Sequence, residues 1–352
     1  MPKSFNHLWE HVIDFENLYH AFREAQKGKR YRWESMKFKQ RLEDNLIIMQ
    51  NDLIWNTYVH GPYRQFYVTE PKKRLISAPS FRDRVVHHAL CQVIEPIFEN
   101  RFVNETFACR TGRGTHAAVM QVAHCTRRAR REWGNYFILK CDIHHFFPSV
   151  NHDVLKEIIR RQIRNKKVMD LCDLIIHSYE SAEQDGIGIP IGALTSQLFA
   201  NIYLTPMDQR IKNKHHVKYY ARYMDDFLIL SPDKNYLWDI LGDLECFLHD
   251  ELKLNLNPKT GIFPAKHGVD YCGYRIWPTH LKPRKTTVKR AKRRMKKLAM
   301  LYRDDPSILD HAKASLVSFM GYIKHCSGWR TTKAVLERAI FIARAKVDTI
   351  PF

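Results

Sequence analysis

Residues 217–231 read VKYYARYMDDFLILS. Two mostly apolar runs, 217–223 and 227–231, flank Met224, Asp225 and Asp226, and this pattern predicts two strands joined by a tight turn. Adjacent carboxylates repel each other, so they suit either a hairpin turn exposed to water or a site for a hard divalent cation such as Mg²⁺, which prefers oxygen ligands. For Asp225 and Asp226 by themselves, both interpretations remain open.

A third carboxylate, Asp142, ends a separate apolar strand predicted at 136–143. If this strand neighbours the two strands around Asp225, then Asp142 and Asp225 meet at the same end of one sheet. Three carboxylates there can hold two Mg²⁺ ions about 4 Å apart, which stabilise the attacking and the leaving oxygen of a phosphoryl transfer. The sequence therefore predicts a two-metal site built on Asp142, Asp225 and Asp226.

The composition indicates the kind of molecule on which such a metal site would act. The 352 residues carry 57 Lys and Arg against 37 Asp and Glu, a formal net charge of +20, which attracts phosphate in nucleic acid or at an anionic membrane surface. No apolar run approaches the ~18 residues that would span a bilayer, so nucleic acid is favoured and no membrane partner is expected. The 8 cysteines form no CxxC pair, which predicts reduced thiols in the cytoplasm rather than a zinc ribbon or disulfide scaffold.

Helix and strand patterns alternate along the rest of the chain. Helices are predicted at about 8–26, 33–55, 83–98, 115–131, 153–162, 168–178, 195–212 and 236–251, and further strands at 65–69, 74–78, 261–264 and within 269–277. From residue 136 the order is a split βαβ pattern, an α+β sheet with helices on one face. Because residues 282–297 hold ten Lys or Arg and no acid, a domain boundary is expected between Trp277 and Pro283.

Taken in order, these motifs resemble a reverse transcriptase from about Leu18 to Trp329. Residues 223–226 (YMDD) resemble the YxDD catalytic box, 141–147 (CDIHHFF) the first-aspartate box, 256–260 (LNPKT) the lysine motif and 271–274 (YCGY) the primer grip. The resemblance implies an α+β right-hand polymerase with a split βαβ palm sheet. It also implies an N-terminal helical extension at 1–60, fingers at 61–135, a palm at 136–280 with a fingers insertion at about 165–190, and a helical basic thumb at 281–352.

The same resemblance assigns catalytic roles. Asp142, Asp225 and Asp226, with the Ile143 carbonyl, would hold two Mg²⁺ ions, for which Mn²⁺ can substitute. Lys259 would protonate the leaving pyrophosphate as a general acid, and the alternative for this residue is an exposed loop lysine.

Residues that bind the incoming dNTP are expected around the fingers. Lys72 and Arg74 would grip the triphosphate, unless the hairpin is merely an exposed basic turn. Phe147 would be the steric gate that excludes a ribose 2′-hydroxyl, with a core aromatic as the alternative. Ile191 and Gly192 would border the nascent base pair, and simple packing of Ile191 in a loop is the competing interpretation.

Primer and template would be held by the primer grip and the basic thumb. The predicted contacts are Tyr271, Gly273, Lys289, Arg290, Arg293, Arg294 and Lys297. A solvated helix face is the alternative for the thumb, although ten uncompensated positive charges favour a bound polyanion.

The segment 191–197 (IGALTSQ) stands where most reverse transcriptases have QGxxxSP, and this change resembles the enzymes of diversity-generating retroelements. So do the segments 107–116 and 273–280. Such enzymes copy a template-repeat RNA into cDNA from dNTPs, misincorporate opposite template adenines during mutagenic retrohoming, and work with a small helical accessory variability protein. We expect these partners in the cytoplasm of a bacterial or phage-infected cell. Because Ile191 stands in place of the usual glutamine, a hydrogen-bonding contact near the substrate sugar and template is lost, which would relax discrimination between correct and incorrect nucleotides. We assign no role to Gln197.

Two alternatives remain. One is a reverse transcriptase of another bacterial lineage, of group II intron or retron type, although an intron-type chain would usually continue into a maturase and endonuclease beyond Trp329. The other is a non-catalytic RNA-binding protein on a polymerase scaffold, against which the intact aspartates argue.

Overall fold

The structure, a computed structural model, describes residues 7–69, 72–179 and 185–339. Four helices open it: α1 (Trp9–Ile13), α2 (Phe15–Ala25), α3 (Trp33–Gln40) and α4 (Leu42–Ile54). Each of the two helices predicted here is therefore two helices. The Asp14 carboxylate caps α2 by accepting from the Asn17 N–H, and Arg41 leaves helical geometry between α3 and α4.

The predicted hairpin is confirmed as β1 (Arg64–Val68) and β2 (Arg74–Ala78), which pair antiparallel with Val68 opposite Arg74. The turn residue Pro71 lies outside the described residues. Two long helices follow, α5 (Phe81–Glu99) and α6 (Thr115–Trp133), as the sequence predicts.

The central sheet consists of β3 (Phe137–Asp142), β4 (Tyr219–Tyr223), β5 (Asp226–Ser231) and β6 (Gly261–Pro264), in the order β4-β5-β3-β6 with every neighbouring pair antiparallel. Its strands are connected through α7 (Phe146–Ser149), α8 (His152–Arg160), α9 (Lys166–His177), α10 (Leu194–Gln209) and α11 (Lys234–Asp250). A short π-helical segment, Arg210–Lys214, extends α10. This arrangement confirms the split βαβ pattern.

Both faces of this sheet are buried, which corrects the expectation of helices on one face. Phe227 and Ile229 of β5 lie in the core that also contains α10 and α11, whereas Leu228 and Leu230 lie in a second core with α6. The physical reason is the continuous apolar run of β5, because a strand buried on both faces does not alternate with polar residues.

A second sheet lies, in chain order, between the central sheet and the last helices. It contains β7 (Val269–Tyr271), β8 (Tyr274–Ile276) and β9 (Leu281–Pro283), and is followed by α12 (Lys285–Tyr302), α13 (Ile308–Ile323) and α14 (Trp329–Leu336). Strand β9 was not predicted, because three residues with a lysine and a proline give no strand pattern. Since β9 pairs with β8, the sheet continues past residue 280, where the sequence places the start of the thumb.

Among residues 7–69, 72–179 and 185–339, no helix is long and apolar enough to cross a bilayer.

Candidate active site

The predicted meeting of the carboxylates at one end of the sheet is confirmed. Asp142 is the last residue of β3, Asp226 is the first residue of β5, and these two are register partners in neighbouring strands. The Ile143 N–H donates to the Asp225 carbonyl at 3.3 Å, so the chain after Asp142 contacts the turn directly.

Backbone geometry fixes the turn that carries Asp225. Met224 adopts φ of +59°, a left-handed conformation that is uncommon for a residue with a side chain. The hydroxyl groups of Tyr223 and Thr115 lie 3.2 Å apart, which ties the turn to the start of α6.

Asn257 makes two hydrogen bonds to Asp142. Its backbone N–H donates to the Asp142 carbonyl at 2.7 Å, and its side-chain amide donates to the Asp142 carboxylate at 3.1 Å. The sequence placed Asn257 in the lysine motif without giving it a role. Its contacts show that this motif orients the first aspartate.

Burial, and after it repulsion between the aspartates, raises the pKa of Asp225 and Asp226. Burial, followed by the negative charge of Asp142, raises the pKa of Asp225 to about 6. Burial also raises the pKa of Asp226, against the opposing effect of Lys140. A divalent cation between the carboxylates of Asp142 and Asp225 would relieve this repulsion, so these oxygen donors fit such an ion.

The three carboxylates do not converge as expected, and this corrects the predicted cluster. Both oxygens of Asp226 accept hydrogen bonds from the Lys140 ammonium group, at 2.6 and 2.8 Å. Within the described part of the chain, no three His, Cys, Asp or Glu side chains are arranged to hold a metal ion. The ion pair neutralises Asp226, leaving Asp142 and Asp225 as the candidate side-chain ligands.

The hairpin β1–β2, which the sequence analysis assigns to the fingers, lies within electrostatic range of this acidic site. Lys72 and Arg74 are both exposed, and the positive charge of Arg74 opposes the rise in the pKa of Asp225. The guanidinium group is thus close enough to the aspartates to interact with them electrostatically.

Ile191 and Gly192 pack against this hairpin. The Ser77 N–H donates to the Ile191 carbonyl at 2.9 Å. Gly192 has φ of +127°, and a Cβ atom there would lie 2.9 Å from the Ile76 Cγ2 atom and 3.2 Å from the Ser77 carbonyl oxygen. Only glycine fits this close approach, so the Ile-Gly motif connects the hairpin β1–β2 to the start of α10.

The two adjacent phenylalanines of the first-aspartate box differ in burial. Phe146 is buried in the core, whereas Phe147 is half-buried and packed against that core. Lys259 is exposed, and its backbone N–H donates to the Asn257 side-chain oxygen at 3.0 Å.

The primer-grip prediction needs one correction. The Tyr271 side chain is fully buried beneath the Lys140 ammonium group, so it has no surface to offer to a primer. Gly273 is half-exposed at φ of +88°, and its carbonyl accepts hydrogen bonds from the Tyr322 hydroxyl and the Arg284 N–H. These bonds connect the turn to α13 and to the start of α12.

Helix α12 presents the predicted basic surface. Met295 and Leu298 are buried in the core shared with α13, and the predicted contacts on the other side are all exposed: Lys289, Arg290, Arg293, Arg294 and Lys297. The helix thus separates an apolar face from a cationic one.

Arg222 is a residue of the site that sequence reasoning missed. It is fully buried in β4, pairs with Asp208, and donates to the Met224 carbonyl at 3.0 Å. A charged residue within an apolar strand was the available signal.

Comparisons with curated proteins find several relatives of low sequence identity. The chain is 26% identical over 282 residues to Protein YkfC of Escherichia coli, covering 67% of this chain and 72% of that protein. It is 23% identical over 295 residues to the group II intron-encoded protein LtrA of Lactococcus lactis, with 62% and 47% covered. A putative COX1/OXI3 intron 2 protein of Saccharomyces cerevisiae is 22% identical, and the match spans 33% of its length.

Comparisons with solved structures find two telomerases. One, from Candida albicans in complex with a fragment of telomeric RNA, has a TM-score of 0.48 and 12% identity, with 79% of this chain and 55% of that chain covered. The apo telomerase of Candida tropicalis has a TM-score of 0.47 and 13% identity, with 66% and 59% covered.

The family assignment rests on the sequence match. Residues 68–276, which include β2, the whole central sheet and the YMDD turn, match the family described as reverse transcriptase (RNA-dependent DNA polymerase). The predicted fold and enzyme class are thereby confirmed, and the chain belongs to the reverse transcriptase family.

Proposed function

We propose that this chain extends a DNA 3′-hydroxyl on an RNA template by using dNTPs and divalent metal ions at Asp142 and Asp225. The observation that carries the proposal is the meeting of these two carboxylates at one sheet end, where burial, followed by the negative charge of Asp142, raises the pKa of Asp225 to about 6. Two Mg²⁺ ions, when bound, would stabilise the charge that develops on the attacking and leaving oxygens.

The chain's own residues would position the reactants. Arg74 and Lys72 bind the triphosphate from the exposed side of the hairpin, and the half-buried Phe147 borders the sugar. The Ile143 carbonyl can contribute one more oxygen ligand, and Asp226 supports the site through Lys140. Lys259 is exposed and donates a proton to the departing pyrophosphate.

Nucleic acid would lie between the site and the thumb. The exposed basic face of α12 contacts phosphates, and the backbone of Gly273 contacts the primer. Contacts to phosphates do not distinguish one base from another, so the basic face binds an RNA–DNA hybrid of any sequence.

The finer proposal concerns the template. The IGALTSQ segment at 191–197 supports a diversity-generating enzyme that copies a template-repeat RNA and misincorporates opposite adenine for mutagenic retrohoming. In this reading the enzyme acts in the cytoplasm of a bacterial or phage-infected cell and binds a small helical accessory variability protein. The location of Ile191, hydrogen-bonded to the fingers hairpin, supports its influence on the nascent base pair.

A second candidate is an intron-type reverse transcriptase, which the names of the Lactococcus and Saccharomyces relatives favour. Primer extension on an RNA template followed by sequencing of the cDNA separates the two. A diversity-generating enzyme gives errors concentrated opposite adenines, and Ile191→Gln lowers them at least about threefold by restoring a positional contact. Errors spread evenly over the four template bases would favour the intron type, and an error spectrum unaltered in the variant would remove Ile191 from the account.

A further inference from the structure

Arg222 is a buried charge to which the proposed reaction assigns no step. Its side chain is 0% exposed, and the guanidinium group donates through Nε to Asp208 Oδ1 at 2.8 Å and through Nη2 to Asp208 Oδ2 at 2.6 Å. The remaining nitrogen, Nη1, donates to the Asn201 side-chain oxygen at 3.2 Å and to the Met224 carbonyl at 3.0 Å. All three nitrogens therefore have partners.

Asp208 is equally well satisfied. This residue of α10 is 0% exposed and also accepts a hydrogen bond from the Tyr220 hydroxyl at 2.6 Å. The bidentate pair thus anchors the arginine to α10, the helix that begins beside the Ile-Gly motif.

Stability alone does not account for this pair. Removing two charges from water is costly, and apolar side chains of similar volume often give a fold that is equally stable. What apolar side chains cannot provide is an N–H donor for the Met224 carbonyl. The contact that distinguishes Arg222 from an apolar residue is therefore the one to the catalytic turn.

The turn needs such support. Met224 has φ of +59°, and a non-glycine residue keeps such a conformation only where its surroundings hold it there. Arg222 holds the Met224 carbonyl, while the Ile143 N–H holds the Asp225 carbonyl at 3.3 Å. Hydrogen bonds thus fix the two peptide units on either side of Asp225, which contain the Met224 and the Asp225 carbonyls.

The backbone of Arg222 extends the same support to the fingers. Its N–H donates to the Glu105 carbonyl at 2.9 Å, and its carbonyl accepts from the Phe107 N–H at 3.1 Å. Asn201, which contacts the guanidinium group, also donates to the Ala108 carbonyl at 2.8 Å. Residues 105–108 and the turn are therefore held by one cluster.

We propose that Arg222 is a positioning residue for nucleotide transfer: anchored by Asp208, its guanidinium group fixes the Met224 carbonyl and so aims the Asp225 carboxylate at the metal site shared with Asp142. This inference rests on the proposed function of that site. It adds a buried ion pair that determines the geometry of the metal ligands without touching the metal or the substrate.

Arg222→Lys tests the proposal. Lysine keeps the positive charge for Asp208, but its single nitrogen cannot reproduce the planar fork in which three nitrogens hold Asp208, Asn201 and the Met224 carbonyl. In primer extension with Mg²⁺ we expect kcat to fall about 10- to 100-fold while KM for dNTP stays within about threefold, since substrate-binding groups are unchanged.

Binding of Mn²⁺ alone, measured by electron paramagnetic resonance, gives a readout that needs no turnover. We expect Arg222→Lys to raise the Kd for Mn²⁺ about tenfold, as loss of a group that orients metal ligands does. The matched control is Arg210→Lys, because Arg210 makes a similar bidentate pair with Asp243, at 2.7 and 2.6 Å, away from the turn. That variant keeps the parental kcat and Mn²⁺ affinity.

The outcomes separate cleanly. A folded Arg222→Lys protein with parental kcat and parental Mn²⁺ affinity overturns the inference, even if its thermal stability is lower. If Arg222→Lys does not fold, Asp208→Asn takes its place, because it weakens the anchor of Arg222 while keeping the shape of the side chain. A parental kcat and a parental Mn²⁺ affinity in Asp208→Asn would then overturn the inference. If the parental protein binds Mn²⁺ but extends no primer, the proposed function fails. The Mn²⁺ affinities of the parental protein and of Arg222→Lys would still test whether Arg222 positions the metal ligands.

Discussion

At the scale of single residues, the site depends on a few positions where one side chain or its absence is required. In the proposed site Asp142 and Asp225 supply the oxygen donors, Asn257 orients Asp142, and Gly192 allows α10 to approach the hairpin β1–β2. The aspartates and the glycine could be predicted from the motifs. The Lys140–Asp226 pair could not, because 86 residues separate its members and only the sheet register brings them together.

Gly192→Ala tests the close approach. The added Cβ atom meets Ile76 and the Ser77 backbone in a left-handed conformation, so we expect the free energy of unfolding to fall by about 1–3 kcal/mol. Because the hairpin that carries Arg74 must shift, KM for dNTP should also rise. Denaturant unfolding and primer-extension kinetics measure the two effects.

Gly242→Ala is the matched control for this prediction. Gly242 lies inside α11, and a Cβ atom there meets nothing within 4 Å. Alanine should stabilise this helix by about 0.5–1 kcal/mol and leave KM unchanged. If both variants changed stability in the same direction, the steric argument for Gly192 would be wrong.

At the scale of elements, long and strongly patterned segments were predictable and short ones were not. The hairpin β1–β2, the helices α5 and α6, and the strands around the YMDD turn match their predicted positions within a few residues. Strand β9 has three residues, and its pairing with β8 is a tertiary contact that leaves no local pattern. The two-sided burial of the sheet likewise depends on where α6 packs.

Helix α12 is the element on which we base a prediction about nucleic-acid binding. Replacing Lys289, Arg293 and Lys297 by Gln should weaken binding of an RNA–DNA hybrid and lower the slope of log K against log salt by about three, one for each lost phosphate contact. Titrations of a labelled hybrid at several salt concentrations measure this slope.

The control for the α12 variant removes three positive charges from other parts of the surface. Lys27, Arg41 and Lys218 are exposed partners in surface ion pairs, and replacing all three by Gln also lowers the net charge by three. A general effect of the +20 net charge would give equal slopes in both triple variants. That result would count against α12 as the binding face.

At the scale of the whole molecule, the fold brings Arg74 of the hairpin within electrostatic range of the acidic site. Arg74 on the fingers hairpin, the exposed face of α12, and the aspartates at the sheet end belong to segments far apart in sequence. The order β4-β5-β3-β6 brings the aspartates together. Composition predicted phosphate as a partner, and the motif order predicted the polymerase fold, but the buried Arg222 cluster required the three-dimensional contacts.

The most direct test of the central claim is primer extension by Asp225→Asn, with Asp239→Asn as a control that removes one exposed charge from α11. Asparagine keeps the size of the side chain but loses the anionic metal ligand, so we expect dNTP incorporation to fall at least about a thousandfold with hybrid binding retained. The control should match the parental enzyme. Incorporation by Asp225→Asn at the parental rate would contradict the metal assignment on which the account depends.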